Sequence, residues 1–406
     1  MRFLPILLFF TYTTLFAGDW PQFLGPSRNG ISTETNLSRS WPKEGPPILW
    51  SKKVGQGFSG PVLAVGKLFL FHRLDDKEVV ECFDATRGTA VWRFDYASNY
   101  RDDFGFDEGP RATPTVADGR IYTIGAEEVL HCIDSTTGKK VWAVDCKREF
   151  KPEKGFFGYA PSPLVVGSNV IVNVGGENAG VVAFDRQSGR VAWKATSHQA
   201  SYASPVAATL GGTRHILVFS RSGLLGLHPT TGEVVFEFPW RSPMHASVNA
   251  ATPLVIDDRI FLTASYDTGA ALLRVKLRKP DKIWSSDNAL SCHYATPVHA
   301  AGFLYGFHGR QEHRPSLRCI ELNTGKVCWS EEGFGAGTVT LAGELLLILT
   351  ERGELLAAPA NPEQFKIRNR AQILPFEVRA APALANGLFF ARSKERLVCV
   401  DLRPAK

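Results

Sequence analysis

Short apolar segments separated by glycine turns recur along this chain and predict a repetitive β structure. Each copy begins with Pro, continues as an apolar strand, a Gly turn and a second apolar strand, and later carries Asp-x-x-x-Gly-x-x-x-Trp. The leading positions of the eight copies are Pro61, Pro114, Pro163, Pro205, Pro253, Pro297, Val339 and Pro382. Their spacing of roughly 40 to 50 residues is typical of one four-stranded propeller blade, so the sequence predicts an all-β, eight-bladed β-propeller with antiparallel blades.

The second half of each copy fixes the register of the blade. Asp84, Gly88 and Trp92 stand four residues apart, and the spacing recurs at Asp134-Gly138-Trp142, Asp185-Gly189-Trp193, His228-Gly232-Phe236 and Glu321-Gly325-Trp329. The acidic side chain is expected to accept backbone N–H groups of a turn, while Gly takes its positive-φ position. This turn would join the third and fourth strands, and the aromatic residue would point between adjacent blades. Two copies lack the ideal turn, because Pro280 precedes Trp284 and Asn361 precedes Phe365.

The eighth copy lacks a fourth strand, because the chain stops at Lys406. Residues 48–54, with Trp50, have the pattern of that missing strand and precede the first leading Pro. We therefore predict that an N-terminal strand closes the ring and removes its exposed edges. The predicted organisation is a signal peptide at 1–18, an extended arm over the ring at 19–45, and the propeller at 46–406.

The first residues are typical of a secretory leader. Arg2 is followed by an apolar run from Phe3 to Phe16 and by Ala17 and Gly18. The run is too short for a convincing membrane span, and no second apolar segment follows it. These features predict a cleaved signal peptide, a periplasmic or secreted protein and no stable membrane insertion.

The net charge of the chain restricts the kinds of partner that it can bind. The formal charge is +6 without a strongly basic run, which argues against nucleic acid.

The chain has seven cysteines, of which Cys82, Cys132, Cys319 and Cys399 share one third-strand position and are expected to be small core residues. Cys319 and Cys328 flank one hairpin, and a disulfide between them is a hypothesis.

Ligand contacts are expected where the chain enters the first strand of each blade, at one mouth of the central channel. The residues three positions before the leading residues are Phe58, Arg111, Ala160, Tyr202, Ala250, Tyr294, Ala336 and Arg379. Together with nearby loop residues they predict a binding set of Arg111, Tyr159, Tyr202, His245, Asn249, His293, Tyr294 and Arg379. Such a ring could hold an anionic or aromatic ligand, or it could cap strands and bind channel water.

Two candidate metal sites are weak. His198, His245 and His293 come from three successive entry loops, but they stand at different distances before their leading residues. Zinc needs convergent ligands, so no metal is expected there. An acidic loop contains Asp102, Asp103, Asp107 and Glu108. We interpret it as a solvated loop in preference to a calcium site.

The recurring turn and the Pro-led inner strand resemble the pyrroloquinoline-quinone-type propeller repeat over residues 46 to 403. The opening Asp19-Trp20-Pro21-Gln22-Phe23-Leu24-Gly25-Pro26 is similar to the start of many secreted members of this group. The resemblance implies the fold, and it includes both quinone-dependent dehydrogenases and a non-catalytic subunit of the outer-membrane assembly machinery.

We predict a monomeric protein-binding or scaffolding module whose partner is another envelope protein or an extracellular polymer. The alternative is an oxidoreductase dependent on pyrroloquinoline quinone (PQQ) and calcium, with its site at the channel mouth. The dehydrogenases often carry adjacent cysteines, and this chain has no Cys-Cys pair. No cofactor and no catalytic residue are therefore expected, and the quinone with calcium stays the alternative.

Overall fold

The computed structural model describes residues 18–276 and 278–405, and nearly all regular structure there is β-strand. One short helix, α1, spans Cys146–Phe150, and a 3-10 turn spans Gln311–His313. The predicted signal peptide lies outside the described residues except for Gly18. In the described ranges, no helix is long and apolar enough to cross a membrane.

The strands form eight sheets, which we call blades 1 to 8 in the order of their first strands. Two strands precede blade 1: β1 (Ile31–Ser32) and β2 (Ile48–Lys53). Blade 1 contains β3 (Val62–Ala64), β4 (Lys67–Leu74), β5 (Lys77–Asp84) and β6 (Ala90–Ala97), and blade 2 contains β7 (Thr115–Ala117), β8 (Arg120–Ile124), β9 (Val129–Asp134) and β10 (Lys140–Asp145). Blade 3 contains β11 (Leu164–Val166), β12 (Asn169–Val172), β13 (Val181–Asp185) and β14 (Val191–Ala195), and blade 4 contains β15 (Val206–Leu210), β16 (Thr213–Phe219), β17 (Gly223–Leu227) and β18 (Val234–Pro239). Blade 5 contains β19 (Leu254–Ile256), β20 (Arg259–Ala264), β21 (Gly269–Lys276) and β22 (Lys279–Ser286), and blade 6 contains β23 (Val298–Ala300), β24 (Phe303–His308), β25 (Ser316–Glu321) and β26 (Val327–Glu331). Blade 7 contains β27 (Gly337–Ala342), β28 (Leu345–Thr350), β29 (Glu354–Pro359) and β30 (Asn369–Gln372), and blade 8 contains β31 (Ala383–Ala385), β32 (Leu388–Arg392) and β33 (Arg396–Asp401).

The predicted architecture is confirmed. Within each blade consecutive strands pair antiparallel, and the buried side chains of the inner three strands pack between blades. Asp118-Gly119 and Asn386-Gly387 form the hairpin turns between the first and second strands of blades 2 and 8, with all four residues at positive φ. One prediction is wrong in detail: the fourth strand of blade 7 is β30, not the segment around Phe365. Phe365 instead packs on Trp329 of blade 6, with ring centroids 5.2 Å apart.

The ring is closed by β2, as predicted. It pairs antiparallel with β33 and supplies the fourth strand of blade 8, with Trp50 opposite Cys399. Trp50 packs near Phe390 inside the blade, and its Nε1 donates to the carbonyl of Ala85 in blade 1 at 3.0 Å. The segment from the start of the chain therefore connects the last blade to the first.

In five of the eight blades the Trp of the fourth strand contacts the turn glycine of the next blade. Trp92 Nε1 donates to the Ser135 carbonyl at 3.0 Å, and the ring lies over Gly138. Equivalent bonds join Trp50 to Ala85, Trp142 to Arg186, Trp193 to Pro229, Trp284 to Leu322 and Trp329 to Asn361. Gly is needed here because the backbone has a positive φ and because the neighbouring ring occupies the space that a Cβ would need.

Replacing Gly138 by Ala is expected to cost about 2 to 4 kcal/mol of unfolding free energy, because a Cβ there would lie 2.6 Å from the Trp92 ring. Gly119→Ala is the matched control. Gly119 has φ +73°, close to the +70° of Gly138, but has no atom within 4 Å of the added carbon, so only the backbone cost of about 1 kcal/mol is expected. Urea denaturation of both variants measures the difference, and equal losses would contradict this contact between blades.

A second set of contacts between blades uses the hydroxyl residue directly before a leading Pro. Its oxygen accepts the backbone N–H of the equivalent residue in the preceding blade. The bonds are Gly60 to Thr113 (3.0 Å), Thr113 to Ser162 (2.9 Å), Ser162 to Ser204 (2.9 Å) and Thr252 to Thr296 (2.9 Å). The inner ends of these blades are thereby held in register around the channel.

Residues 20–32 of the segment before blade 1 enter the central channel, whereas residues 34–45 run across blades 7 and 8. There the Ser38 N–H donates to the Leu402 carbonyl at 2.7 Å and the Trp41 N–H donates to Asn369 Oδ1 at 2.9 Å. Trp20 forms a β-bridge with Leu63 of blade 1, and β1 adds in parallel to β27, the inner strand of blade 7. Trp20 is almost fully buried, with 2% of its surface exposed. Burial of this apolar side chain against blade 1 favours insertion over an exposed path.

Arg28 anchors this segment at the centre of the molecule. Its guanidinium donates to the carbonyls of Ser162 (3.2 Å), Pro163 and Pro205 (2.8 Å) and to Thr115 Oγ1 (3.1 Å). In the described part of the chain no carboxylate pairs with it, so backbone carbonyls at the entrances of blades 3 and 4 balance its charge. Burial lowers the pKa of Arg28 to about 9, which leaves it charged at neutral pH.

All seven cysteines are free thiols, so the hypothesised disulfide between Cys319 and Cys328 is absent. The four third-strand cysteines are fully buried in the blades, as predicted. Burial raises the pKa of Cys82 to about 12, which keeps this thiol protonated and unreactive.

Candidate functional site

A cavity of about 440 Å³ lies on the propeller axis, and all eight blades contribute to its wall. Seven of the eight residues three positions before the leading residues line it: Phe58, Arg111, Ala160, Tyr202, Ala250, Tyr294 and Arg379. Each stands where the chain enters an inner strand, so the repeat places them in one ring. Phe23 and Leu24 of the inserted N-terminal segment also line the cavity.

The structure brings five of the eight predicted site residues to this cavity: Arg111, Tyr202, His293, Tyr294 and Arg379. Tyr159 is instead buried in the core between blades 2 and 3. The Asn249 side chain donates to the backbone carbonyls of Ser220 (2.9 Å) and Trp240 (3.1 Å), which makes it a loop-bracing residue. His245 is not among the lining residues, and its ring packs edge-on against Phe156.

Arg111 is held by the acidic loop between blades 1 and 2. It pairs with Asp102 at 3.2 Å, and the Asp102 side chain is fully buried. The same carboxylate accepts backbone N–H groups of Phe104, Phe106 and Asp107. Asp102 therefore organises the loop from inside and is not part of a solvated acidic cluster.

Arg379 belongs to a second charged network, on the other side of Phe58 from Arg111. It pairs with Glu351 at 3.2 Å and also with Glu377. Tyr294 donates its hydroxyl to Glu351 at 2.8 Å, and Lys394 pairs with Glu377 at 2.9 Å. Burial and the adjacent Glu351 raise the pKa of Tyr294 well above its usual value, so the phenol stays protonated.

Both arginines lie over aromatic rings. The Arg379 guanidinium carbon is 5.5 Å from the ring centres of Phe58 and Phe106, and that of Arg111 is 5.0 Å from Tyr100 and 5.9 Å from Phe58. These distances are typical of cation–π contacts. Phe58 thus contacts both guanidinium groups and fixes their planes at the cavity wall.

His293 takes part in a third polar group. Its Nε2 is 2.8 Å from the Tyr266 hydroxyl, and its Nδ1 contacts Gln311. Arg310 lies 4.4 Å over the Tyr266 ring and pairs with Glu312 at 3.3 Å. Burial lowers the pKa of His293, so the imidazole is neutral at physiological pH.

Sequence reasoning missed five aromatic residues that line the cavity. They come from loops of unequal length: Phe104, Phe106, Phe156, Phe157 and Tyr266. The rings of Phe104 and Phe157 are 5.0 Å apart, so two different loops meet at the mouth. The available signal was Phe-Gly-Phe at 104–106 and Phe-Phe at 156–157, each beside Gly.

The residues do not fit the quinone and calcium that the resemblance implies for the dehydrogenases. Calcium needs several converging oxygen ligands. Among residues 18–276 and 278–405 no three His, Cys, Asp or Glu side chains converge as a metal site, which also argues against a site at His198, His245 and His293. Asp102, Glu312 and Glu351 are each paired with an arginine. We derive no redox step from this arrangement.

The sequence matches the family model described as outer membrane protein assembly factor BamB over residues 76–331. No curated protein matches the chain significantly.

Solved structures with the same fold include proteins of different function. BamB from Moraxella catarrhalis is 16% identical with a TM-score of 0.64, covering 87% of this chain and 96% of that one. The quinohemoprotein alcohol dehydrogenase ADHIIG from Pseudomonas putida HK5 is 13% identical with a TM-score of 0.65, covering 96% and 81%. The computationally designed Ika8 protein is 10% identical with a TM-score of 0.57, covering 87% and 98%. At these identities the likeness shows the fold alone.

Proposed function

The chain belongs to the family of the outer membrane protein assembly factor BamB, and from this premise we propose that it is a protein-binding scaffold of the cell envelope. The predicted leader at 1–18 supports export to the periplasm or the cell exterior. The partner is another envelope protein, which docks on the mouth of the central cavity.

The observation that carries this proposal is an apolar rim at the cavity mouth, formed by Phe104, Phe106 and Met244. Their surfaces are 55%, 40% and 44% exposed, and all three line the cavity. Exposed apolar side chains that cluster around a concave surface are typical of interaction sites. Aromatic residues and Met are also enriched in protein interfaces.

Three exposed apolar residues elsewhere on the propeller have a structural explanation. Val91, Val141 and Val191 are exposed at the start of the outer strands of three different blades. Val91 and Val141 directly precede the Trp of their blade, and Val191 stands two residues before it. The pairing register shifts at these positions, which marks a β-bulge at the edge of the blade. Single residues on separate blades do not form a patch, so the rim is the better docking surface.

The loop that presents the rim is preformed. Asp102 accepts N–H groups along the loop and pairs with Arg111, and Lys394 of blade 8 donates to the Phe106 carbonyl at 2.6 Å. A partner therefore meets a loop whose shape is already fixed, which lowers the entropy cost of binding.

Site-specific photocross-linking tests the proposal. A photoreactive phenylalanine is placed at position 104, or at position 141 as the control, where Val141 is 43% exposed on the outer strand of blade 2. Each purified protein is irradiated with a native envelope fraction. We expect a discrete cross-linked protein from position 104 that is missing from position 141.

The cross-linked protein is then purified and titrated against variants. Phe104→Ala/Phe106→Ala is expected to weaken its binding at least tenfold, since two apolar contacts are lost, while Val141→Ala leaves the dissociation constant unchanged. Identical products from positions 104 and 141, or unchanged binding by the rim variant, would overturn docking on the mouth.

A further inference from the structure

The cavity below the rim is closed at its inner end. Phe23 and Leu24 form its floor, and Arg28, a few residues on, fixes the same segment to three blade entrances. Phe104 and Phe106 line the cavity at its solvent-exposed side, so we expect a ligand to enter past them. A channel that only conducted water would not need an apolar floor supplied by a separate segment of the chain.

The cavity wall carries charges but offers no free charge to a ligand. Arg111, Arg310 and Arg379 all line it, and each has a carboxylate partner: Asp102 at 3.2 Å, Glu312 at 3.3 Å and Glu351 at 3.2 Å. In two of these pairs, Arg111–Asp102 and Arg379–Glu351, the carboxylate is largely buried, so an anionic ligand that drew the arginine away would leave that carboxylate without its cation. The arrangement thus disfavours the anionic ligand that two Arg side chains predicted from the sequence alone.

What the wall does offer is ring faces and planar groups. Phe156, Phe157 and Tyr202 line one side, with the last two ring centres 6.0 Å apart. The uncharged His293 and Tyr294 line another, 5.8 Å apart. Guanidinium planes held by carboxylates also stack on aromatic systems.

We propose that this cavity binds an uncharged small molecule built on aromatic or fused rings. Its volume of about 440 Å³ lies within the range of cavities that enclose small ligands, roughly 300 to 1,000 Å³. Ring stacking supplies the affinity, while the paired charges exclude acids. The inference is independent of the proposed partner protein, which docks on the rim above the cavity.

The test uses N-phenyl-1-naphthylamine, an uncharged fused-ring dye whose fluorescence rises in apolar surroundings. Titrated into the purified full-length protein, it is expected to bind saturably with one site per chain. The probe 1-anilinonaphthalene-8-sulfonate has the same rings plus a sulfonate, and we expect it to bind at least tenfold more weakly.

Cavity-filling variants locate the dye. Ala160→Trp is expected to reduce affinity for the uncharged dye at least tenfold, whereas Ala192→Trp, the same change on an exposed outer strand, leaves it unchanged. If Ala160→Trp does not fold, Ala250→Phe fills the cavity from blade 5 and carries the same expectation.

Binding that survives in a folded filling variant, or tighter binding of the sulfonate, would overturn the inference. So would the absence of saturable binding by the wild-type protein. A failure of rim cross-linking with intact dye binding would overturn the proposed scaffold function alone, which keeps the two proposals distinguishable.

Discussion

Deletion of residues 46–55 is expected to abolish cooperative folding of the whole propeller. The deleted segment contains β2, which supplies the outer strand of blade 8 and carries Trp50 into its contact with Gly88 and Ala85 of blade 1. Without it, β33 is left as an unpaired edge, and the last blade no longer contacts the first. Loss of the sigmoidal melting transition, followed by circular dichroism, is the expected result.

Point variants separate ring closure from the mere loss of residues. Trp50→Ala should lower the unfolding free energy by about 3 to 5 kcal/mol, because it removes a large side chain packed between two blades. Lys53→Ala, on the exposed end of the same strand, should change it by less than about 0.5 kcal/mol. A deletion variant that melts like the wild type would show that the ring does not depend on this strand.

Arg28→Met is expected to give the second large loss of stability. The substitution keeps an unbranched side chain but leaves the carbonyls of Ser162, Pro163 and Pro205 without their donor in a buried position. Each unsatisfied carbonyl costs about 1 to 3 kcal/mol, so we expect a total loss of about 3 kcal/mol or more in urea denaturation.

Arg39→Met is the control for this variant, because Arg39 belongs to the same N-terminal segment and is exposed. We expect it to unfold like the wild type. Limited proteolysis gives a second measure: in Arg28→Met, cleavage near residues 20–32 should become faster than cleavage of the blades. Equal stability of both variants would mean that the segment is held by Trp20 and β1 without the central arginine.

The repeat made most of the fold predictable. The four-residue steps from Asp84 through Gly88 to Trp92 fix where a turn ends and which face of the outer strand is buried. Once the strands of one copy of the repeat are assigned, the same spacing therefore locates the strands of the other copies. The missing outer strand of blade 8 was likewise visible at Trp50. Another recurring signal, the hydroxyl residue before five of the leading Pro residues, was present at Thr113 and Ser162 and would have predicted the contacts between inner strands.

The inserted segment and part of the cavity were not predictable in the same way. Arg28 binds backbone carbonyls, and a carbonyl has no signature in the sequence, so nothing marked the channel as its position. Tyr159 and Asn249 each stand one residue before a position that lines the cavity, Ala160 and Ala250 respectively. Their side chains point away from it, Tyr159 into the core and Asn249 onto backbone carbonyls of neighbouring loops. The pairing of Arg111 with Asp102 joins residues of one irregular loop, which no repeat governs.

The closure of the ring by the N-terminal strand determines which side chains face the channel, and a cross-link tests it most directly. Lys53 and Arg396 are exposed neighbours across β2 and β33. Cysteines introduced at both positions should form a disulfide under mild oxidation, found by mass spectrometry as one linked peptide pair. Cysteines at Lys53 and at Lys282, on the outer strand of blade 5, should stay unlinked. Failure of the first pair to link in a folded protein, or equal linking of both pairs, would contradict the closed eight-bladed ring.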